Sequence, residues 1–267
     1  MTAIPIDDAD DPRIAPFRAV RDRDLARQDG RFVVEGEVAV RLLLSRGARF
    51  PAEALLVLDA PPGRALAAEF GEGLPVHMAG RAVMDRIVGF PIHRGVLAVA
   101  RRPDALPLRG VIPAAGPALV LVLCGISNHD NVGGAFRNAA AFGADAVLLD
   151  ATSCDPLYRK AIRVSAGASL LVPFARGGPS DELLAELAGQ DFQIFALSPA
   201  GRRDLSEVAW APRSALVLGA EGPGLPAAIL ARWTTVRIAM RAGFDSLNVA
   251  TAAGIALHAA SRLAGGD

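Results

Sequence analysis

The sequence predicts an α/β protein with a parallel sheet in its C-terminal half and a smaller α/β unit before it. Uninterrupted apolar segments such as "ALVLVL" at 118–123 and "SALVLG" at 214–219 are typical of strands buried on both faces of a parallel sheet. Segments with the periodicity of amphipathic helices separate these strands. Proline and glycine cluster over residues 103–117, the composition of a linker, so we expect a domain boundary near 110–117.

The smaller unit is predicted over residues 12–100. A charged helix should open it, and "RFVVEG" at 31–36, with two adjacent β-branched valines, should follow as a strand. In "EVAVRLLLSRG" at 37–47 the apolar residues recur at helical spacing and predict the next helix. Further strands are expected at 54–58, 74–78 and 95–100, with helices near 64–70 and 80–88.

The larger domain is predicted to alternate strands and helices to the end of the chain. Its strands are expected at 118–124, 146–150, 170–174, 192–197, 214–218 and 235–239. Its helices are expected at 131–143, 156–165, 180–188, 225–232 and 247–263.

Composition excludes several classes of protein. With 267 residues, 52% of them hydrophobic, and a mean hydropathy of +0.33, the chain can bury large cores, so disorder is not its main state. Cys124 and Cys154 lack the spacing of a metal site, which favours reduced thiols in a cytoplasmic protein. Met1 to Asp11 has no basic and apolar leader pattern, and no apolar segment elsewhere is long enough to span a membrane.

Charge is balanced overall but unevenly distributed. The 28 basic and 28 acidic side chains give no net field that would attract a polyanion. Six arginines crowd one stretch, either as a solvated helix or as an RNA-facing surface: Arg13, Arg18, Arg21, Arg23, Arg27 and Arg31. Lys160 is the only lysine in an arginine-rich chain, which suggests a chemical need for it.

The stretch "NHDNVGGAFRNAAAFGADAVLLD" at 128–150 looks at first like a dinucleotide-binding loop. Its glycines, Gly133 and Gly134, are adjacent, however, so the G-x-G-x-x-G spacing is missing. Asn131 could cap the helix, and the two glycines would let another group approach its first turn. Arg137 has no carboxylate three or four residues away, so it is either a surface arginine or a ligand-binding one. The core side of this helix is predicted to carry Phe136, Ala139, Ala140 and Phe142.

Two later segments also join a strand to a glycine-bearing loop. In "LVLGAEGPGL" at 216–225, Gly219, Gly222 and Gly224 permit positive φ around Glu221, as in a loop that grips an adenosyl or phosphate group, or in a structural turn. In "VRIAMRAGFDSLNVATAAGIALHAA" at 236–260, Ser246 or Asn248 could cap the last helix. That helix is so small-sided that another backbone must pack closely on it, from this chain or from a second subunit.

Taken together, "NVGGAFR…FGA", "LGAEGPGL" and "SLNVATAAGIAL" resemble the three motifs of the SpoU (TrmH) family of RNA ribose 2'-O-methyltransferases, in the SPOUT superfamily. "RFVVEGEVAVRLLL" and "HRGVLAVA" also look like that family's substrate-binding domain, a ribosomal-protein-like RNA-binding fold. The resemblance implies an RNA-binding domain over 1–110 and a methyltransferase domain over 117–267. Arg94 departs from the glutamine that many members carry before the glycine, which affects target identity more than activity.

The resemblance further implies a deep trefoil knot whose loops, around 218–224 and 238–248, bind S-adenosylmethionine. Ile238 and Leu247 would neighbour its adenine. The implied cofactor-binding residues are Leu218, Gly219, Gly224, Ile238, Met240, Leu247 and Asn248. Members are homodimers, so each site should be built from two chains. No metal is implied.

Arg137 matches the family's catalytic arginine. It could act as a general base, or it could bind the phosphate beside the target ribose and stabilise the emerging alkoxide. We favour the second role, because a guanidinium with a pKa above about 12 is a poor base at neutral pH. Asn131 and Glu221 would hold Arg137 and the loop in position, and Asn248 with Ser246 would order the third loop.

The helix in "DPLYRKAIRVSAG" at 155–167 carries Arg159, Lys160 and Arg163 on one flank. A solvated face is one interpretation, and the resemblance favours an RNA-contacting one. The expected substrate is structured RNA, with rRNA favoured and tRNA as the alternative. A non-catalytic RNA-binding protein is the first rival, and an oxidoreductase the second, but no strand is followed by the G-x-G-x-x-G loop that an oxidoreductase needs. The four histidines are scattered and are expected to be structural or exposed.

Overall fold

A computed structural model describes residues 3–18, 30–88, 95–102, 107–241, 243–244 and 246–261 of the chain. Within these ranges the contacts separate two compact units. The first comprises Met1–Asp104 and Leu157–Leu171, and the second comprises Ala105–Pro156 and Val172–Asp267. Residues 157–171 therefore pack with the first unit although they follow the boundary predicted near 110–117.

The described strands and helices alternate along most of the chain. The strands are β1 (Ile4–Ile6), β2 (Arg31–Glu35), β3 (Ala52–Leu58), β4 (Val76–Ala79), β5 (Val96–Arg101), β6 (Ala118–Leu123), β7 (Ala146–Leu149), β8 (Phe174–Arg176), β9 (Gln193–Leu197), β10 (Arg203–Asp204), β11 (Arg213–Leu218) and β12 (Thr234–Arg237). The helices are α1 (Glu37–Leu43), α2 (Pro61–Phe70), α3 (Arg81–Val88), α4 (His129–Ala141), α5 (Arg159–Val164), α6 (Ser180–Ala188), α7 (Ala227–Arg232) and α8 (Val249–Ser261). Short 3-10 turns occur at Pro12–Phe17, Leu108–Gly110, Ala168–Leu170 and Leu205–Glu207.

The first unit is built on a mixed sheet with the strand order β1-β4-β3-β5-β2. β1, β4 and β3 run parallel, whereas β5 is antiparallel to both β3 and β2. Leu56 and Leu97 are fully buried in its core, as is Met84 of α3. The four predicted strands are confirmed within one or two residues, and β1 was not predicted because its three residues are too few to show a periodicity.

The charged helix predicted after residue 12 differs from the structure. Residues Pro12–Phe17 form a 3-10 turn, because the Asp11 carboxylate accepts a hydrogen bond from the backbone N–H of Arg13 and Pro16 cannot donate to a longer helix. The rest of the predicted helix, with Arg21, Arg23 and Arg27, lies outside the described residues, as do His93 and Arg94.

The second unit contains a parallel sheet, which confirms the predicted α/β class. Its seven described strands all run in one direction in the order β10-β12-β9-β11-β6-β7-β8. Every residue of β6 is buried, as expected of an uninterrupted apolar strand covered on both faces. β6 and β11 pair from Ala118 opposite Arg213 to Leu123 opposite Leu218, so these two strands end at the same level of the sheet.

One strand of the second half was predicted wrongly. Residues 170–174 do not form a strand: Ala168–Leu170 is a 3-10 turn and β8 begins only at Phe174. The turn forms because Gly167 has a φ of +86° and packs against Ala39 of α1, which buries Leu170 in the first unit. The apolar "SLL" sequence therefore belongs to a buried turn.

The carboxyl ends of parallel strands meet at one edge of the sheet, where ligands of such folds usually bind. All seven described strands of the second unit end at that edge, and the segments that follow them include the loops after β6, β7, β9, β11 and β12. The three segments singled out in the sequence supply the loops after β6, β11 and β12.

No helix of the described ranges is both long and apolar enough to cross a membrane.

Candidate active site

A cavity of about 620 Å³ opens at the carboxyl edge of the second unit's sheet. The loops after β9, β11 and β12 form its walls through residues 197–199, 218–222 and 246–249, together with Gly224, Ile238, Met240 and Ala252. All seven residues that the family resemblance implied for cofactor binding line it: Leu218, Gly219, Gly224, Ile238, Met240, Leu247 and Asn248. Residues more than 20 positions apart in the sequence are thus brought to one concave surface.

The glycines of the loop after β11 serve two different purposes. Gly222 and Gly224 have φ values of +85° and +68°, as predicted. Gly219 does not, and the prediction of positive φ is wrong there. A Cβ atom at Gly219 would lie 2.3 Å from the backbone carbon of Gly224, so this glycine allows the loop to fold back on its own strand, where Ala220 pairs with Gly224.

Asn248 connects all three motifs. Its Oδ1 accepts hydrogen bonds from the backbone N–H groups of Ala250 (3.0 Å) and Thr251 (3.2 Å), which confirms it as the cap of α8. Because the cap fixes the orientation of the amide, Nδ2 must point the other way, and it donates to Asn131 Oδ1 at 2.8 Å and to Glu221 Oε1 at 3.4 Å. The three polar residues singled out in separate motifs therefore form one network.

Asn131 is not a helix cap, contrary to the prediction. Asn128 caps α4 instead, accepting from the N–H of Asp130 at 2.9 Å. Asn131 lies inside the first turn and is only 3% exposed. Its Oδ1 is committed to Asn248, whereas its buried Nδ2 has no hydrogen-bond partner among the described residues. Leaving a buried amide donor unpaired costs free energy, so a ligand that accepts a hydrogen bond from Asn131 Nδ2 would be favoured at this site.

Arg137 lies on the exposed side of α4, and its guanidinium makes no hydrogen bond or ion pair within the described ranges. It lines an open groove of about 520 Å³ between α4 and α8, together with Asn138, Thr251, Ile255 and His258, among others. The described lining residues of this groove and of the cavity do not overlap. The Arg137 guanidinium can therefore bind an anion, and it would do so at the groove and not in the cavity.

The small residues of α4 and α8 bring the two helices together. A Cβ atom on Gly134 would lie 2.6 Å from the Cβ of Ala250, and Gly254 faces Asn138. Asn138 Nδ2 donates to the Ala250 carbonyl at 2.6 Å. The group that approaches Gly134 is thus α8. Of the predicted core residues, Phe136 and Ala139 are buried and Phe142 is half-buried, whereas Ala140 is exposed.

Asp150, which no sequence pattern had singled out, organises the strand ends beneath the site. Its carboxylate, on a residue only 5% exposed, accepts from the backbone N–H of Gly125 and from the hydroxyls of Thr152, Ser153 and Ser180. Burial alone would raise the pKa of this carboxyl, but the donated hydrogen bonds outweigh burial and lower it. An aspartate directly after a buried strand was the available signal.

The Asp150 contacts hold the segment that leads into α4. Ile126 N donates to Ser153 Oγ at 3.0 Å, and Cys154 N donates to the Ile126 carbonyl at 2.8 Å. A Cβ atom on Gly125, whose φ is +70°, would lie 3.6 Å from the Cβ of Ala220, the residue before Glu221. Asp150 therefore supports both the helix of Asn131 and the loop of Glu221.

Replacing Asp150 with asparagine should destabilise the protein by about 3 kcal/mol at neutral pH, because several donors lose their charged acceptor. The folded pKa lies below the unfolded value of 3.8, so the carboxylate stabilises the fold above that value and loses this effect as the pH falls through the folded pKa. Urea denaturation at pH 7 and at about pH 3 should show the gap between variant and parent narrowing in acid. Asp7→Asn, at an exposed position, is the control, and an equal gap at both pH values would contradict the role of the charge.

Among the described residues, the cysteines and histidines show no reactive arrangement. Burial raises the pKa of the Cys124 thiol to about 12 and that of Cys154 to about 11, and both are free cysteines, as predicted. Burial also lowers the pKa of His77, which packs edge-on against Phe17, and His258 contacts Phe142 in the same way. The described residues contain no cluster of three potential metal ligands.

The predicted RNA-binding residues lie in the other unit. Arg159, Lys160 and Arg163 belong to α5, which packs on β2 of the first unit through its buried face. Lys160 and Arg163 are exposed and Arg159 is half-buried. Their positive charges therefore lie on the surface of the first unit.

The chain is similar in sequence and in structure to known RNA methyltransferases. The model of the SpoU rRNA Methylase family matches residues 118–258. An uncharacterized tRNA/rRNA methyltransferase of Mycobacterium bovis is 41% identical over 264 residues, covering 96% of this chain and 90% of the relative. A solved RNA 2'-O ribose methyltransferase is 28% identical with a TM-score of 0.81, over 97% of this chain and 98% of that one. An AdoMet-bound rRNA methyltransferase from Sinorhizobium meliloti, 23% identical with a TM-score of 0.84, shares the fold over 98% of both chains.

Proposed function

The chain belongs to the SpoU rRNA methylase family, and on this premise we propose that it transfers a methyl group from S-adenosylmethionine to a ribose 2'-hydroxyl of structured RNA. The observation that carries the proposal is the network in which Asn248 joins Asn131 and Glu221 at one edge of the cavity. A non-catalytic RNA-binding protein would not need a cap residue that also aligns two other motifs beside a cavity. The ribose specificity is supported by the 28% identical RNA 2'-O ribose methyltransferase.

The cavity fits S-adenosylmethionine in size and chemistry. A volume of about 620 Å³ lies within the range of sites for ligands of this size, about 300–1,000 Å³. Leu218, Ile238 and Leu247 offer apolar surface for an adenine ring, and the glycine loop exposes backbone groups that can read polar edges. When bound, the cofactor supplies an electrophilic methyl group on a sulfonium. The residues at the cavity edge must then exclude water and align the ribose oxygen that accepts the methyl.

Arg137 is proposed as the residue that binds RNA at the reacting ribose. Its guanidinium, unpaired among the described residues, can bind the neighbouring phosphate with two hydrogen bonds and stabilise negative charge on the 2'-oxygen as the hydroxyl proton passes to solvent. A role as general base is disfavoured, since a guanidinium remains protonated at neutral pH. Asn131 and Glu221 are proposed to position the reacting groups through Asn248.

A second copy of the chain would complete this site. Arg137 lines the groove between α4 and α8, and no described residue of that groove also lines the cavity. Ile255 is 40% exposed beside the same groove, a surface suited to packing against another subunit. We therefore propose a homodimer in which Arg137 of one chain serves the cavity of the other, with the loops after β11 and β12 arranged as the family's trefoil knot.

The first unit is proposed to bind the RNA: residues 1–110, joined by α5, form the substrate domain, and the rest of 117–267 forms the methyltransferase domain. Reversing charge in Arg159→Glu and Lys160→Glu together should weaken RNA binding by about tenfold to a hundredfold at low salt, because two phosphate contacts become repulsive. Filter binding at several salt concentrations should show a shallower salt dependence than the parent. Arg46→Glu with Arg86→Glu, at exposed positions of the same unit, lowers the net charge by the same amount and is the control, and unchanged affinity in the Arg159 and Lys160 variant would remove α5 from the RNA surface.

Ribosomal RNA is the proposed target and tRNA the alternative, in a cytoplasmic setting. The test is a map of 2'-O-methyl groups in total RNA from cells with and without the protein, followed by in vitro transfer of a labelled methyl group to the RNA that changed. Loss of one ribose methylation without the protein is the expected result. Methylation of a base instead would reject the ribose assignment, and binding of RNA without any transfer would favour the non-catalytic alternative.

A further inference from the structure

Phe244 is the most exposed large apolar side chain of the described residues, at 76%. It lies in the loop after β12, between Met240 on one side and Ser246 and Leu247 on the other, all three of which line the cavity. Its backbone N–H donates to the Arg241 carbonyl at 3.1 Å, and Gly243 has a φ of +90°, so the chain turns sharply here. The turn holds an aromatic ring in solvent at the mouth of the cavity.

The two chain segments on this side of the cavity are rich in arginine. Arg241 is exposed, and its guanidinium makes no hydrogen bond or ion pair among the described residues. Arg202 and Arg203, also exposed, follow the cavity-lining residues 198–199, and Arg237 next to Ile238 donates to the Gly201 carbonyl at 2.9 Å. That bond ties the two arginine-bearing segments together. An exposed aromatic ring with exposed arginines in the neighbouring segments is the arrangement that binds unstacked nucleotides.

Resting on the proposed function, we propose that Phe244 and Arg241 form a platform for an unpaired nucleotide of the RNA substrate, with a base stacked on Phe244 and its phosphate on Arg241. A ribose whose 2'-oxygen enters the cavity leaves its own base or a neighbouring base at the rim, where the ring stands. A base inside a duplex cannot expose its face to Phe244, because both faces are covered by its neighbours. The substrate class is therefore a loop or bulge of structured RNA.

Replacing Phe244 with alanine should raise KM for RNA about tenfold, the effect expected from loss of one stacked base, while the affinity for S-adenosylmethionine stays unchanged. Phe244→Trp should retain the parent KM, because indole stacks as well, whereas Phe244→Leu should resemble alanine, since it is apolar but has no π-face. Gln193→Ala removes an exposed, uncharged side chain at the amino end of β9, the edge of the second unit's sheet opposite the cavity, and is the control that should leave KM unchanged. Ribosomal RNA from cells lacking the protein is the substrate.

Two further measurements, fluorescence quenching and light scattering, distinguish stacking from other roles of Phe244. The fluorescence of Phe244→Trp should be quenched by an unpaired RNA fragment and not by the same fragment annealed to its complement, after subtraction of the parent signal from Trp210 and Trp233. An unchanged KM in Phe244→Ala, or equal quenching by the duplex, would overturn the platform. A shift of Phe244→Ala to a smaller mass in light scattering would assign the ring to a subunit interface instead. If the parent neither binds nor methylates RNA, the proposed function itself fails.

Discussion

Replacing Arg137 with alanine should lower kcat for RNA methylation by about a thousandfold, the scale on which loss of one charge-stabilising donor acts. Affinity for S-adenosylmethionine should stay within a few-fold of the parent, because Arg137 does not line the cavity. Steady-state kinetics with labelled cofactor, together with calorimetric titration of the cofactor, measure the two effects separately. Retained turnover would reject the assignment of Arg137.

The controls for Arg137 test its geometry and its charge. Arg137→Lys should recover part of the activity, since lysine keeps the charge but not the planar fork that grips a phosphate with two bonds. Arg109→Ala removes another highly exposed arginine of the second unit, 77% exposed, and should leave kcat unchanged. If Arg137 serves the partner's cavity, mixing Arg137→Ala with a variant defective in cofactor binding should restore one working site per heterodimer.

The sequence predicted β6, β7, β9 and β11 of the second unit well because they are uninterrupted apolar segments, whereas β8 and β10, with three and two residues, are too short to show a pattern. It also singled out Asn131, Glu221 and Asn248, since polar residues beside glycines stand out in an apolar chain. It could not show that they touch. The bond between Asn131 and Asn248 spans 117 positions, and only the shared edge of a parallel sheet brings their loops together.

The errors have a common physical origin. Glycines at 134 and 219 signal a lack of space or an unusual φ, but a pattern does not reveal which neighbour needs the space. At Gly134 the neighbour is Ala250 of α8, and at Gly219 it is the backbone of Gly224. Similarly, Leu170 looked like a strand residue because it is apolar, whereas it is buried by a turn packed on the first unit. Which residue packs against such a position is decided by the tertiary fold and not by the local sequence.

Replacing Gly219 with alanine should reduce affinity for S-adenosylmethionine by about a hundredfold, corresponding to the upper part of the range for overpacking. The added Cβ would lie 2.3–2.5 Å from the backbone of Gly224 and Leu225, where no flexible side chain can yield. The loop must therefore open between Ala220 and Gly224, and this displaces the wall that carries Glu221.

The matched control for Gly219 is Gly63→Ala in the first unit. A Cβ there would lie 2.0 Å from the Leu58 carbonyl oxygen, a comparable backbone clash at a position that does not line the cavity. Both variants should unfold at lower urea concentration than the parent, but only Gly219→Ala should lose cofactor affinity in calorimetric titration of the folded protein. If both lose it equally, the loss reflects general destabilisation. If Gly219→Ala binds as the parent does, the cofactor does not occupy this cavity, because its binding cannot then depend on where the loop after β11 lies.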